Sequence, residues 1–239
     1  MKYIHLISGP RNISTALMYS FGNRLDCNVI DEPFYAYYLS KYGVDHPGRN
    51  EVIASQSTHA SQVVDSIFNR EKERSVLFIK NMAHHLNGFD YSFIDRCTNL
   101  FLIRDPRFLI NSFAKVITHP TADDLGLRRE YEIYKELDRQ GLENRVVIDS
   151  GELLKDPPKY ISLLCDRLDI PMDNDMLSWV AGPRKEDGVW AKHWYGKVHT
   201  STGFVTQSSS SPQLDSALTD VYNEVKEYYD FLYDKALKV

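Results

Sequence analysis

The sequence is poor in cysteine, and its three thiols, Cys27, Cys97 and Cys165, stand far apart without CxxC spacing. An odd number of scattered cysteines argues against a disulfide framework and against a zinc site, and it favours the reducing cytoplasm. Long hydrophobic runs are missing too, because no segment approaches the roughly 20 apolar residues that cross a bilayer. The short apolar run before Gly9 predicts a core strand rather than a signal peptide.

The sequence also lacks an excess of positive charge. Its 28 Lys and Arg residues are outnumbered by 33 Asp and Glu residues, which leaves a formal net charge of −5. Such a chain has no overall attraction to nucleic acid or to an acidic membrane, and we expect neither as a partner. An anionic ligand must then be held by a local basic pocket.

The hydrophobic pattern predicts an α/β fold with three layers and a mostly parallel central sheet of about five strands flanked by helices. The length and a 43% share of hydrophobic residues suit one domain, residues 1–239. The predicted strands are 3–7, 28–31, 76–80, 100–103 and 145–148. The predicted helices are 14–24, 51–70, 108–116, 123–140, 159–168 and 211–238. A serine-rich linker is predicted at 207–212, and the charged segment 130–139 predicts an exposed helix face.

The first predicted strand ends in Gly9-Pro10-Arg11-Asn12, and a helix then begins at Ser14 and Thr15. A helix N-terminus offers unpaired backbone N–H groups and the positive end of its dipole to an anion, so the turn predicts a phosphate cradle. The lysine of the nucleotide-binding P-loop is missing, because no Gly-Lys-Ser/Thr follows Gly9.

Polar and charged side chains follow several predicted strands at the point where each strand ends. In an open parallel sheet the ligand lies outside the carboxyl ends of the strands, so these groups are expected to meet at one edge. They are Arg11, Asn12, Ser14 and Thr15 after the first strand, Glu32 after the second, Lys80, His84 and His85 at the third, and Arg104 and Ser112 at the fourth.

These residues resemble the signatures of the sulfotransferases that use 3′-phosphoadenosine 5′-phosphosulfate, which have a P-loop NTPase-like fold. Pro10-Arg11-Asn12-Ile13-Ser14-Thr15 is similar to the first loop of that family in its proline, its cation and its paired hydroxyls. Arg104, Pro106 and Ser112 have the spacing of its second signature, and Arg184-Lys185-Glu186-Asp187-Gly188-Val189-Trp190 imperfectly matches its third. The three blocks run in the family's order along almost the whole chain.

The resemblance implies a role for each block. Arg11, Asn12, Ile13, Ser14 and Thr15 would bind the 5′-phosphosulfate, Arg104 and Ser112 the 3′-phosphate, and the third block would add Arg184, Lys185 and Gly188. The implied cosubstrate is 3′-phosphoadenosine 5′-phosphosulfate. A sulfuryl group carries one negative charge, so positioning and fixed cations suffice for its transfer and we expect no metal.

The acceptor hydroxyl needs a base. Many cytosolic members use a histidine two residues after a lysine, and Lys80-Asn81-Met82 lacks it. Other members use a glutamate in a context similar to Asp31-Glu32-Pro33-Phe34, which favours Glu32 as the base and Lys80 as a group that stabilises charge. A glutamate acts well near neutrality only if its pKa is raised, for example by burial. Glu32 could instead begin a helix and pair with Arg11.

His84 and His85 are the alternative bases. Because they are adjacent in sequence, only one of them is expected to face the site. Either could equally be a structural histidine.

Aromatic residues follow Glu32 and recur in the glycine-interrupted segment 182–204, which predicts a loop over the ligand or a solvated surface loop. They either form an acceptor pocket or cap the core. The set comprises Tyr35, Tyr37, Tyr38, Tyr42, Trp190, His193 and Trp194.

The favoured function is transfer of a sulfuryl group to a hydroxyl or amine of a small-molecule or carbohydrate acceptor. One alternative is a nucleotide-dependent kinase or NTPase on a similar fold, which would require a Mg²⁺ site. The other is a nucleotide-binding protein without turnover, favoured by the missing lysine-x-histidine pair.

Overall fold

The computed structural model describes residues 1–71, 73–115, 117, 120–205 and 212–239. Within them, a parallel sheet has the strand order β2-β3-β1-β4-β5. Its strands are β1 (Lys2–Ser8), β2 (Cys27–Asp31), β3 (Val76–Met82), β4 (Thr98–Ile103) and β5 (Arg145–Asp149). All five lie within two residues of the predicted bounds, and the α/β fold class is confirmed.

The longer helices cover both faces of the sheet. They are α1 (Ser14–Gly22), α2 (Tyr35–Tyr42), α3 (Arg49–Ser55), α4 (Ala60–Phe68), α5 (Pro106–Phe113), α7 (Leu127–Arg139), α8 (Ser150–Lys155), α9 (Pro157–Arg167) and α12 (Thr219–Tyr233). Shorter turns are α6 (Ala122–Leu125), α10 (Ala191–Trp194), α11 (Gly196–His199) and the 3₁₀ segments Ala83–Leu86, Ser92–Arg96, Asn174–Leu177 and Ser216–Leu218. None of the described helices is long and apolar enough to cross a membrane.

The core has one apolar layer on each face of the sheet. Leu109 of α5, Ile133 of α7 and Leu232 of α12 belong to one layer, and Leu17 of α1 and Ile161 of α9 belong to the other. Strands covered on both faces have near-continuous apolar sequences rather than alternating ones, which is why short runs such as residues 76–79 predicted them.

Two predicted helices are each divided into two in the structure. Residues 51–70 form α3 and α4 with a break between them, and residues 123–140 form α6 and α7 with a break at Gly126. Gly126 has φ of +78°, and a Cβ there would lie 3.0 Å from the Cα of Gly9, so a side chain is excluded on both counts. This contact places the start of α7 directly against the loop that follows β1.

The last helix ends at Tyr233 rather than at residue 238. One side of this helix faces the core, where Val225 and Leu232 are fully buried. After the helix the chain turns back to the sheet, where Leu237 N–H donates to the Val147 carbonyl at 2.9 Å. The first predicted residue of this helix, 211, and residues 207–211 of the predicted linker lie outside the described residues, as does residue 116 at the end of the predicted helix 108–116.

The charged segment 130–139 is not uniformly exposed. Glu130 lies in the first turn of α7 and is fully buried, with a carboxylate oxygen 3.5 Å from the position of a Cβ at Gly9. Burial raises the pKa of this carboxyl well above its ordinary value. The prediction of a wholly solvated face was therefore wrong at this position, because the Gly126 contact brings the first turn of α7 under the loop after β1.

Candidate active site

The loop between β1 and α1 has an unusual backbone. Arg11 and Ile13 have φ of +59° and +45°, in the left-handed region that side chains with a Cβ rarely adopt. Asn12 is buried and its amide donates to the Leu102 carbonyl of β4, which fixes the loop against the sheet. Residues in this region persist only where surrounding contacts hold them, and they concentrate at functional sites.

Arg11 meets the end of β4 and the helix that follows it. Its Nε donates to the Ser112 hydroxyl of α5 at 3.3 Å, and Arg104 Nη1 donates to the Arg11 carbonyl at 2.7 Å. Helix α5 begins here because Asp105 caps it, accepting from the Arg107 N–H at 2.8 Å, and because Pro106 occupies its first turn. The predicted convergence of the first and second blocks is thus present in the structure.

A cavity of about 690 Å³ opens on this side of the sheet edge, and we call it the basic cavity. Its described lining contains four cations and no Asp or Glu. Its polar lining residues are Arg11, Thr15, Arg104, Asn111, Ser112, Lys115, Lys197 and Ser201, and its aromatic ones are Phe108, Trp194 and Phe204. In a chain with a net charge of −5, such a concentration of positive charge marks an anion site.

A second group of charges lies at the neighbouring ends of β2 and β3. Asp31 pairs with Lys80 in the parallel register, and Lys80 Nζ contacts Asp31 Oδ1 at 2.8 Å and Glu32 Oε1 at 2.5 Å. All three side chains are buried. Glu32 therefore pairs with Lys80 and not with Arg11, and it lies three residues before the start of α2.

The Glu32 carboxyl has the environment that a general base requires. Burial raises its pKa above the ordinary glutamate value, and the Lys80 ammonium opposes part of that rise. Its backbone has φ of +39°, held by its N–H donating to the Lys80 carbonyl at 2.8 Å and by Gln56 donating to its own carbonyl at 3.1 Å. Glu32 therefore has a strained backbone conformation that these hydrogen bonds hold in place, and such residues concentrate at functional sites.

Tyr195, from the turn after α10, joins this group of charges. Its hydroxyl accepts from Lys80 at 2.7 Å and lies 2.7 Å from Asp31 Oδ2 and 3.3 Å from Glu32 Oε1. Trp190 Nε1 donates to the same hydroxyl at 3.1 Å. The segment 182–204 is therefore anchored to β2 and β3 through Tyr195.

A smaller cavity of about 150 Å³ lies beside the basic cavity, and we call it the aromatic cavity. Arg11 and Trp194 line both, so the two spaces share a wall. The other residues that line the aromatic cavity are Pro10, Ser14, Glu32, Tyr35, Tyr38, His46, Met82, His84, His85, Phe113, Ile117, Asp124 and Tyr195.

Both candidate histidines line the aromatic cavity, whereas only one was expected to. They occupy a 3₁₀ turn, and their rings stand perpendicular with centroids 4.6 Å apart. Burial lowers the pKa of His84 to about 4 and that of His85 well below the ordinary value. Both histidines are therefore weaker bases than an ordinary imidazole.

Almost the whole chain also matches a known protein family. Residues 1–236 match the family model described as a sulfotransferase domain. The chain belongs to the sulfotransferase-domain family. The predicted family and enzyme class, a transferase, are thereby confirmed.

The curated relatives of this sulfotransferase domain are much longer than the chain itself. Branched-chain-amino-acid aminotransferase-like protein 1 of Arabidopsis thaliana is 41% identical over 205 residues, covering 85% of this chain and 36% of that protein. The chain spans about a third of the length of the curated relatives it matches.

Two solved structures resemble this chain over nearly its whole length. The sulfotransferase domain of the Synechococcus PCC 7002 olefin synthase has a TM-score of 0.53 and 18% identity and covers 94% of each chain. A sulfotransferase from Alicyclobacillus acidocaldarius has a TM-score of 0.53 and 14% identity and covers 99% of this chain and 98% of its own. At such identities the likeness shows the fold alone.

The third sequence block does not line either cavity of the sulfotransferase domain. Arg184 donates to the Tyr19 carbonyl at 3.2 Å and to Asn23 Oδ1 at 2.8 Å, with its guanidinium 4.2 Å from the Tyr19 ring centre. Lys185 is 88% exposed. Gly188 N–H donates to Asp31 Oδ2 at 3.3 Å, and a Cβ there would collide with the Trp190 ring. In this structure the block supports segment 182–204.

Only some of the predicted aromatic residues line a cavity. Tyr35, Tyr38 and Trp194 line the aromatic cavity. The others have different surroundings: Tyr37 donates to the Asn87 carbonyl, Tyr42 is 45% exposed, Trp190 is buried behind Tyr195, and the His193 ring lies against Gly48.

Several lining residues were missed by the sequence analysis, namely His46, Lys115, Asp124, Tyr195 and Lys197. Only the density of cations and aromatics in segment 182–204 pointed towards two of them. His46 lies in the connection after α2, and Asp124 lies in the short helix α6 directly before α7, so their positions depend on how α2 and α7 pack. Within the described part of the chain, no cluster of three or more His, Cys, Asp or Glu residues is arranged to hold a metal ion.

Proposed function

We propose that this domain transfers a sulfuryl group from 3′-phosphoadenosine 5′-phosphosulfate to a hydroxyl or amine of a small acceptor. The observation that carries the proposal is the shared wall at Arg11 between a cavity lined by four cations and a cavity that contains a buried glutamate. A donor with two anionic ends suits the first cavity, and a group to be deprotonated suits the second.

The basic cavity fits such a donor in size and chemistry. Its volume of about 690 Å³ lies within the range of about 300–1,000 Å³ that is usual for ligand pockets. Arg104 and Ser112 would hold the 3′-phosphate, and Arg11 and the start of α1 would hold the phosphosulfate. The rings of Phe108, Trp194 and Phe204 offer apolar faces for the adenine.

Glu32 would accept the proton of the acceptor group from within the aromatic cavity. The acceptor oxygen or nitrogen then forms a bond to sulfur while the bond from sulfur to the bridging phosphate oxygen breaks, leaving 3′,5′-adenosine bisphosphate. Arg11 would stabilise the negative charge that appears on that phosphate, since a guanidinium keeps its proton at working pH. Lys80 would hold Glu32 in place and limit the rise of its pKa.

Segment 182–204 would close over the donor as part of the same domain. Lys197, Ser201 and Phe204 line the basic cavity, while Tyr195 fixes the segment to the sheet. We accordingly propose residues 1–239 as a single domain. The cytoplasmic location stays a prediction from the cysteine content.

Nucleotide selectivity tests the donor assignment. We expect the melting temperature to rise with 3′,5′-adenosine bisphosphate and to rise less with ATP and Mg²⁺, because the cation set includes no P-loop lysine. Labelled sulfuryl donor incubated with a metabolite extract should yield labelled products. A shift with ATP and Mg²⁺ alone would favour the kinase alternative, and bisphosphate binding without any transfer would favour the non-catalytic one.

A further inference from the structure

The aromatic cavity is small enough to restrict the acceptor. Its volume is about 150 Å³. An engineered protein cavity of about 150 Å³ holds one benzene molecule. The part of the acceptor enclosed here is therefore no larger than a six-membered ring or a short chain.

The cavity has two carboxylates, Glu32 and Asp124. Glu32 Oε2 is 3.8 Å from His85 Nδ1, and the His85 ring stacks on Tyr35 with centroids 4.6 Å apart. Asp124 acts on other rings: after the effect of burial, its charge raises the pKa of Tyr38 and opposes the fall in the pKa of His46. The rings form one cluster, because the Tyr35 hydroxyl lies 2.8 Å from His46 Nδ1 and the Tyr38 and His85 ring centres are 5.0 Å apart. Both carboxylates therefore line one continuous aromatic cavity.

The rings that line the cavity together with Asp124 are suited to a cation. The Tyr38 ring lies 4.9 Å from the His84 ring and 6.1 Å from the His46 ring, centre to centre, and the His46 ring lies 6.1 Å from the Trp194 ring. An ammonium group is attracted to the faces of tyrosine and tryptophan rings, most strongly where water is excluded. The histidines add no opposing charge, because burial keeps them neutral.

Hydrogen-bonding capacity is also left over inside the cavity. The Nδ1 atoms of His84 and His85 are buried and have no hydrogen-bond partner among the described residues. A buried polar nitrogen without a partner is costly, and a ligand N–H or O–H would satisfy it. The Asp124 carboxylate already accepts the Thr121 N–H and hydroxyl at 2.8 and 2.7 Å through Oδ2, which holds it in place.

We propose that the acceptor is a small amino alcohol that is cationic at neutral pH, with its hydroxyl beside Glu32 and its ammonium group between Asp124 and the face of Tyr38. This assignment rests on the proposed function and specifies the substrate class of the same site. The charge on the acceptor balances the second carboxylate, and the Arg11 guanidinium keeps the cation away from the donor end of the cavity.

The test compares straight-chain amino alcohols of increasing length, each paired with the alkanol in which a methyl group replaces the ammonium. Transfer is followed with labelled donor, and binding is measured separately by calorimetry in the presence of 3′,5′-adenosine bisphosphate. We expect kcat/KM and affinity to favour the best amino alcohol over its alkanol by about tenfold or more, corresponding to about 1.4 kcal/mol. Equal values for the pair would overturn the proposal.

Asp124→Asn should remove most of this preference, because it should lower kcat/KM and affinity for the amino alcohol more than those for its alkanol. Asp123→Asn is the matched control and should have the smaller effect, since Asp123 pairs with Arg128 at 3.1 Å, does not line the cavity and raises the pKa of Tyr38 less than Asp124 does. If Asp124→Asn disturbs the short helix α6, Tyr38→Leu and Tyr38→Phe give a second comparison. Only the Tyr38→Leu variant should lose the preference for the amino alcohol, because Tyr38→Phe keeps the aromatic face. A preference that survives both Asp124→Asn and Tyr38→Leu would rule out the assigned ammonium position.

The two proposals fail in different ways. Absence of bisphosphate binding, or of transfer to every acceptor in the series and in a metabolite extract, counts against the proposed function. Transfer to alkanols and amino alcohols alike counts only against the acceptor class. Calorimetry decides the acceptor class even where turnover is slow.

Discussion

The basic cavity and the aromatic cavity share the walls formed by Arg11 and Trp194, yet their chemistry is opposite. The basic cavity is the larger one, and its described lining contains four cations and no carboxylate. The aromatic cavity contains two carboxylates and three histidines held neutral by burial. One space therefore suits an anionic ligand, and the other surrounds its carboxylates with aromatic and neutral rings.

The difference would allow the proposed base, Glu32, to lie next to the proposed site for the anionic donor. Charges in a solvated groove are screened, whereas a buried group responds strongly to its immediate neighbours. Glu32 is tuned by Lys80 and Tyr195 within hydrogen-bond distance, while the cations of the basic cavity act together. Substitutions in the two cavities should therefore affect different measurements.

Glu32→Gln should have the largest effect. The proposed base is lost while the volume and the contacts of the basic cavity are kept, so transfer should fall about 100- to 10,000-fold. Affinity for 3′,5′-adenosine bisphosphate, measured by calorimetry, should stay the same. If transfer at neutral pH continues at the normal rate, His84 or His85 becomes the base and the contrast between the cavities is lost.

Arg104→Ala should act on the other cavity. Loss of a charge-assisted contact costs about 1.5–3 kcal/mol, which corresponds to about 10- to 140-fold weaker binding of the bisphosphate nucleotide. Arg107→Ala is the control, because Arg107 is 43% exposed and does not line the cavity. Equal affinities for the Arg104→Ala variant and the unmodified protein would show that the second sequence block does not bind the nucleotide.

Tyr195→Phe should change the pH profile of transfer with about a tenfold loss of rate. The Tyr195 hydroxyl contact lowers the pKa of Glu32, so its removal raises that pKa further. Because the base must be ionised, the acid limb of the rate profile should move to higher pH. Tyr37→Phe also loses a buried hydroxyl contact, to the Asn87 carbonyl, and should leave the profile in place. An unshifted limb in Tyr195→Phe would separate Tyr195 from Glu32.

Lys197→Ala should have the smallest effect. Lys197 is exposed at the rim of the basic cavity, so an interaction of about 0.2–1 kcal/mol predicts up to about fivefold weaker nucleotide binding. The difference should shrink as salt is added. Lys192→Ala removes an exposed cation that pairs with Glu51 and should not alter binding. A salt-independent loss in Lys197→Ala would place this lysine in a buried contact with the nucleotide.

Strand positions were the most predictable part of the fold. Short apolar runs at 76–80 and 100–103 correspond to β3 and β4, because buried parallel strands require such runs. Helix ends were less predictable. The break at Gly126, for example, comes from a left-handed backbone conformation that packs against Gly9, a residue distant in sequence. Residues directly after strands, such as Arg11 and Glu32, were also predictable as site candidates because topology places them at one edge.

The rest of the candidate site depended on long-range packing. Tyr195 lies 163 residues from Glu32 in sequence, and Asp124 reaches the aromatic cavity only because α6 precedes the α7 turn packed under the Gly9 loop. The third sequence block shows the reverse case. Its cations are favourable in composition, yet Arg184 is engaged by α1 at Tyr19 and Asn23.

The sequence by itself determined the sheet, the edge where the site lies and the identity of the family, because local periodicity and the residues at strand ends encode them. Tertiary structure decided that Glu32 pairs with Lys80 and Tyr195, and that the site has two cavities of opposite chemistry meeting at Arg11. The physical reason is that the pKa of a buried carboxyl depends on neighbours brought together from distant parts of the chain, and no local pattern records those contacts.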